Sequence, residues 1–158
     1  MGFTRLSLKG RALKLLAQRE HSRGELQAKL ARHVEEGDDL QALLDELETR
    51  DFINPQRVAA SVVHRRAGRL GTQRVVQELR GKGLDDALIK ATAAELRSTE
   101  LERATAVWRA RFGGKEPAAT PQERVRQMRF LAARGFSGDV VRKVLRNAGS
   151  ETDDDGCP

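Results

Sequence analysis

Arg74-Val75-Val76-Gln77-Glu78-Leu79-Arg80-Gly81-Lys82-Gly83-Leu84 is the stretch that decides the fold, because its pattern returns as Arg126-Gln127-Met128-Arg129-Phe130-Leu131-Ala132-Ala133-Arg134-Gly135-Phe136. In both copies an apolar residue, Leu79 or Leu131, is followed four positions on by Gly83 or Gly135, and then by a large apolar residue, Leu84 or Phe136. A helix ends this way when glycine takes the left-handed conformation, free of a Cβ penalty, and the next residue folds back onto the last turn. The same offset of 52 aligns the capping candidates Asp85 and Ser137, and an offset of 49 sets Ser22, Leu26 and Leu30 on Gly71, Val75 and Leu79. The chain is therefore a threefold repeat of a helical unit.

Working outward, each unit reads as three helices. In the first, Leu8 to Arg19 carries an apolar stripe; Ser22 and Glu25 form a capping box ahead of Leu26, Leu30 and Val34; and Asp38 or Asp39 caps a helix with Leu40, Leu43, Leu44 and Leu47. In the second, Asn54-Pro55 starts a helix from Gln56 to about Arg69, Gly71 starts the repeated helix, and Asp85 or Asp86 caps a helix through Leu96. The third opens near Leu101, crosses a longer loop over 113–119, restarts at Thr120-Pro121 with Glu123, and ends in a helix capped by Ser137. The spacing predicts an all-α fold of three tandem three-helix repeats, residues 1–52, 53–98 and 99–149, with a disordered acidic tail over 150–158. Units of this size are expected to stack into an elongated, curved, solenoid-like body.

Composition agrees and narrows the function. Tyr is absent among 158 residues, and the sequence holds no apolar run of the ~18 residues a membrane span requires and no signal-peptide pattern, so a cytosolic chain is expected. The one cysteine, Cys157, excludes an intramolecular disulfide and a cysteine metal cluster. Net charge is +6 but uneven: 9 Lys/Arg against 10 Asp/Glu over 1–52, 9 against 4 over 53–98, and 11 against 5 over 99–150. A near-neutral first unit followed by two basic ones points to a polyanion or an acidic protein surface as partner.

Nothing in the sequence supports catalysis. His21, His33 and His64 lack ligand spacing, Glu35-Glu36 and Asp38-Asp39 sit in a polar loop with nothing to raise a pKa, and no glycine pattern has the setting of a phosphate loop. No cofactor and no metal are expected. Trp108 and Phe130 fall at helical spacing and read as core rather than as base-stacking groups. The residues that suit partner or DNA contact are basic: Arg65, Arg66, Arg69, Arg74, Arg80 and Lys82 in the second unit, and Arg126, Arg129 and Arg134 in the third. They match phosphates, with binding that weakens in salt, or carboxylates, which a guanidinium grips with two bonds. No dimer seam is visible, so a monomer is expected.

His21-Ser22-Arg23-Gly24-Glu25-Leu26 with Lys29-Leu30, Arg74 with Glu78-Leu79 and Lys82-Gly83, and Arg129-Phe130-Leu131 with Arg134-Gly135-Phe136 together resemble the RecX family of recombinase regulators, over about residues 8–148. The resemblance implies a non-enzymatic helical modulator that binds the RecA–single-stranded DNA filament, inhibits its ATP hydrolysis and strand exchange, and limits filament growth, with single-stranded DNA a second contact. The family motif covers only Arg74, Lys82, Arg129 and Arg134 of the basic set. The competing expectation is a helix-turn-helix protein that reads duplex DNA without RecA.

Overall fold

The computed structural model describes residues 4–113, 118 and 120–150. Among them the chain forms α1 (Leu8–Gln18), α2 (Arg23–Leu30), a 3₁₀ turn (Ala31–His33), α3 (Leu40–Thr49), α4 (Pro55–Arg66), α5 (Thr72–Gly81), α6 (Asp86–Ser98), α7 (Glu100–Phe112), α8 (Pro121–Ala133) and α9 (Gly138–Ser150), with no strand. The loop expected over 113–119 and the acidic tail fall largely outside the described residues.

The caps are those the spacing predicts. Ser22 Oγ accepts from the Glu25 N–H while Glu25 Oε1 accepts from the Ser22 N–H, closing the capping box. Asp39, Asn54, Asp85 and Thr120 cap α3, α4, α6 and α8, with Pro55 and Pro121 in the first turn. Gly83 and Gly135 adopt φ of 76° and 89°, and the N–H groups of Leu84 and Phe136 return to the carbonyls of Leu79 and Leu131 at 3.5 and 3.3 Å.

Two helices end earlier than the spacing suggests. α4 stops at Arg66 rather than Arg69, because the Arg66 carbonyl accepts both the Arg69 and Leu70 N–H groups and turns the chain. α2 stops at Leu30, and the 3₁₀ turn swings Val34 off the apolar stripe, leaving it 40% exposed rather than in the core.

Each helix triple encloses its own apolar cluster. Leu26, Leu44 and Leu47 anchor the first, Val62, Val75 and Leu79 the second, and Ala104, Leu131 and Val144 the third, all fully buried or nearly so. Trp108 belongs to the third, its indole N–H donating to Gln127 Oε1 at 3.0 Å. The units therefore do not stack by sharing one apolar core. They are joined by polar contacts between helix ends.

The two joints follow one plan, in which the middle helices run end to end, α8 into α5 into α2. At the first, Ser22 Oγ donates to the Lys82 carbonyl at 2.7 Å, so the start of α2 meets the end of α5. At the second, the Gly71 N–H donates to the Arg134 carbonyl at 2.7 Å and the Gln73 N–H to the Gly135 carbonyl at 3.3 Å, so the start of α5 meets the end of α8. Lys82 and Arg134 are equivalent by the offset of 52, as are Ser22 and Gly71 by the offset of 49. Each contact gives an orphan carbonyl at one helix end a donor from the start of the next, the Ser22 hydroxyl at the first joint and backbone N–H groups at the second, and brings opposite dipole ends together.

Charged side chains lock both joints. Glu25 is paired to Arg19 at 2.7 Å and to Lys82 at 2.9 Å, with the Glu25 and Lys82 side chains only 14% and 12% exposed. Burial alone would raise the Glu25 pKa, but hydrogen bonds from Arg19, Lys82 and the Ser22 N–H outweigh it and hold the carboxyl at about 2. At the second joint the buried Glu100 carboxylate accepts the Thr72 N–H at 3.0 Å, capping α5 in place of the side chain that Gly71 lacks. Arg103 then donates to the carbonyls of Ala67, Leu70 and Leu96 at 2.9, 2.7 and 2.9 Å, taking up groups freed where α4 and α6 end.

His21, 1% exposed beside the first joint, gives the fold a pH dependence. Its Nδ1–H donates to the Arg19 carbonyl at 2.9 Å and its Nε2 accepts from the Lys29 ammonium at 3.3 Å, an arrangement open only to the neutral ring. Burial lowers its pKa; the Arg19 carbonyl and Glu25 oppose this, and the charges of Arg19 and Lys29 reinforce it. The unfolded chain therefore takes up the proton first as pH falls. The contribution is complete above the ordinary value of 6.5 and is lost as pH drops below it. Urea denaturation at pH 7.5 and 5.5 should find the protein less stable at the lower pH, and His21→Asn should remove most of that difference. An unchanged pH slope in the variant would assign the effect elsewhere.

Candidate partner interface

The second joint fixes a groove of ≈ 270 Å³ between the α4–α5 turn and helices α7 and α8. Arg69, Arg111 and Arg134 line it, over a floor of Val107, Ala110 and Phe130. The Arg134 guanidinium lies 4.8 Å from the Phe130 ring centre and that of Arg111 lies 6.0 Å from it, both within cation–π range. Phe130 is half-buried with its ring edge-on to Phe112, so it joins core to surface rather than being sealed like Trp108. On α8, Arg126, Phe130 and Arg134 recur every fourth residue and share a stripe, which carries the positive charge past the groove toward the helix start. Three guanidiniums with no carboxylate among the lining residues make a site for phosphate or carboxylate groups.

The remaining basic residues divide. Arg80 lines a second groove of ≈ 370 Å³ with Arg97, Gln73 and Gln77. Arg65 and Arg129 are exposed, the former donating weakly to the Ser61 carbonyl of its own helix at 3.4 Å. Arg66 is paired to Glu78 at 3.1 Å within its unit. Two of the motif residues belong to the joints: Lys82 is spent on Glu25, and the Arg74 stem packs under Gly135 while its guanidinium donates to the Ala133 carbonyl at 3.2 Å. What Lys82 and Arg134 share by repeat is the carbonyl that accepts at each joint, not the role of the side chain.

Arg97 and Arg111 line these grooves without any local sequence pattern that marks them. Arg111 precedes the core residue Phe112, a position that reads as ordinary helix surface until α8 brings Phe130 against it. At the starts of α2 and α5, which a helix-turn-helix reader would present to bases, His21, Ser22, Gly71 and Thr72 are buried at the joints, whereas the start of α8 over 120–126 is exposed. Among the described residues no group of three His, Cys, Asp or Glu is placed to hold a metal ion, and no helix is long and apolar enough to cross a membrane.

Fold and site together define a protein made of tandem three-helix domains joined end to end. Residues 56–92 match the family description "RecX, second three-helix domain" and residues 98–145 match "RecX, third three-helix domain". The regulatory protein RecX of Leptothrix cholodnii is 54% identical over 150 residues, covering 95% of this chain and 94% of its own, and that of Ralstonia nicotianae is 48% identical over 153 residues, covering 97% and 95%. The crystal structure of RecX from Lactobacillus salivarius superposes with a TM-score of 0.73 over 89% of this chain and 94% of that one; at 19% identity it supports the fold alone. The chain belongs to the RecX family.

Proposed function

We propose that this protein is a negative regulator of RecA recombinase. It lies along the RecA–single-stranded DNA filament, turns the arginine groove at its second joint toward it, and inhibits ATP hydrolysis, strand exchange and filament growth without catalysing a reaction of its own. The observation that carries this reading is the cluster of Arg69, Arg111 and Arg134 around Phe130, held at fixed spacing by the joint and free of acidic neighbours in the groove. Arg80, Arg126 and Arg129 extend the contact, as does Arg65, while Arg66, Arg74 and Lys82 hold the units in the geometry that presents it. The three units act as one strip, because the joints are built from backbone hydrogen bonds and partly buried ion pairs rather than from a flexible tether. Such a strip bridges neighbouring protomers and competes with subunit addition. A cytoplasmic role in recombination and repair, including the SOS response, accompanies this reading.

Purified protein added to RecA on single-stranded DNA should lower the steady-state rate of ATP hydrolysis at stoichiometric or lower ratios and shorten filaments seen by electron microscopy. Sequence-selective binding to duplex DNA without RecA would instead favour the helix-turn-helix reading. Removal of 151–158 in the same assay tests whether the acidic tail screens the groove: stronger inhibition at low salt is the expected result.

A further inference from the structure

The near-neutral charge of the first unit conceals a second basic site. Arg11 and Lys14 on α1 and Lys29 and Arg32 at the end of α2 converge on a groove of ≈ 380 Å³ that no Asp or Glu lines. None of these four residues forms an ion pair among the described residues, whereas the carboxylates that balance the unit's charge are taken up elsewhere, by Lys9, Arg19, Arg23 and Arg50 among others. A helix-end dipole accounts for Lys29 in the last turn of α2 and for Arg32 in the 3₁₀ turn that follows it; it does not account for Arg11 and Lys14, which lie inside α1. The groove is also apolar. Leu6, 48% exposed, and the half-buried Leu15 line it, and Val34, 40% exposed, borders an adjoining depression that shares Leu6, Arg11 and Arg32 and also holds Glu35, paired to Arg5, and Asp38. Two of the five large exposed hydrophobic residues therefore stand at this one place. Single stray apolar side chains on a surface need no explanation, but apolar groups beside cations that have no carboxylate partner, with Lys29 and Arg32 bonded only to neighbouring imidazoles, mark a contact surface.

We infer that this groove docks an acidic, leucine-bearing helical segment of a partner protein. The charge selects an anion, and the floor selects among anions. Single-stranded nucleic acid is held by aromatic platforms on which bases stack, and among the described residues no Phe or Trp lines this groove. Aliphatic side chains below with cations above fit an amphipathic helix laid with its leucines inward and its carboxylates against the rim. The contrast with the second joint, where three arginines surround Phe130, separates the two surfaces by chemistry. This site is independent of filament binding by the other two units, and its test contains no RecA.

The test is fluorescence anisotropy of the full chain with three labelled probes: a peptide of about 20 residues, ~30 Å as a helix, with leucines at i, i+3, i+4 and i+7 and glutamates elsewhere; the same peptide with each leucine replaced by glutamine; and an oligothymidylate of similar length. The leucine peptide should bind about tenfold more tightly than the glutamine peptide, the step that ~1.4 kcal/mol of apolar burial represents. Arg11→Glu with Lys14→Glu should weaken it at least tenfold, and Leu6→Ser, a change at an exposed residue that leaves the core intact, should weaken it by a few-fold. Arg69→Ala with Arg111→Ala should leave it unchanged. Equal affinity for both peptides, indifference to the first-unit variants, or a loss in those variants confined to oligothymidylate would each overturn the assignment.

Discussion

Gly71→Ala is expected to open the joint between the second and third units at a cost of about 3 kcal/mol or more. An added Cβ would sit 2.2 Å from the Gly135 carbonyl carbon, 2.3 Å from its oxygen and 2.3 Å from the Phe136 nitrogen. These are backbone atoms, so no side-chain rotation relieves the clash. The start of α5 must back away from the end of α8, which breaks the bonds from Gly71 to Arg134 and from Gln73 to Gly135 and leaves the Glu100 carboxylate buried without its Thr72 donor. Gly135→Ala meets the same joint from the other side, with a Cβ 2.3 Å from the Arg74 Cγ and a φ of +89° that alanine tolerates poorly. Each unit has its own core, so both variants should retain their helices by circular dichroism. Native-state hydrogen exchange should localise the loss to the α5 start and the α8 end. Gly68→Ala, where nothing lies within 4 Å of the added atom, is the control and should be close to neutral. A Gly71→Ala protein as stable as the parent would refute the end-to-end joint.

Glu25→Ala should cost about 3 kcal/mol at neutral pH, the scale set by removing one member of a largely buried pair. The side chain completes the capping box of α2, pairs with Arg19 and holds Lys82, so its removal leaves the Lys82 ammonium 12% exposed with no counter-charge and loosens the first joint. Glu25→Gln keeps the size and one acceptor and should fall between parent and alanine. Because the folded carboxyl titrates at about 2, below its ordinary 4.5, its contribution is complete above pH 4.5 and fades as pH falls toward 2. Denaturant titrations across that range should find the gap between Glu25→Ala and the parent closing in acid; a constant gap would mean that packing, not charge, carries the effect.

The architecture was legible because its signals are local. Ser22 with Glu25, Asn54 with Pro55 and Thr120 with Pro121 act within one turn, and Gly83 and Gly135 stop helices by backbone conformation alone. Val34 and the last turn of α4 escaped because the apolar spacing continues where the backbone turns: a 3₁₀ turn follows α2, and the Arg66 carbonyl ends α4, with Arg103 taking up the carbonyls of Ala67 and Leu70. The site was legible only as composition. Arginines in the right units were visible, but whether each is free or spent depends on contacts dozens of residues away. Lys82 meets Glu25, Arg74 meets Ala133, and Arg111 meets Phe130 only in the folded chain. Lys82 and Arg134 recur because their carbonyls build the joints, while only the Arg134 side chain reaches the groove. In the first unit, acidic residues on α3 and in the loop before it balanced the charge total and hid the basic groove.

The arginine groove at the second joint is tested most directly by ATP hydrolysis of RecA on single-stranded DNA, titrated with the parent protein and with a variant carrying Arg69→Ala, Arg111→Ala and Arg134→Ala. These changes leave the Arg134 carbonyl that holds Gly71 in place, and matching thermal melts establish that the joint survives. The parent should inhibit at stoichiometric or lower ratios, and the variant should need at least tenfold more protein for the same effect, about 1.4 kcal/mol of lost contact. A variant that inhibits as well as the parent, or a parent that does not inhibit at all, would contradict the proposed role.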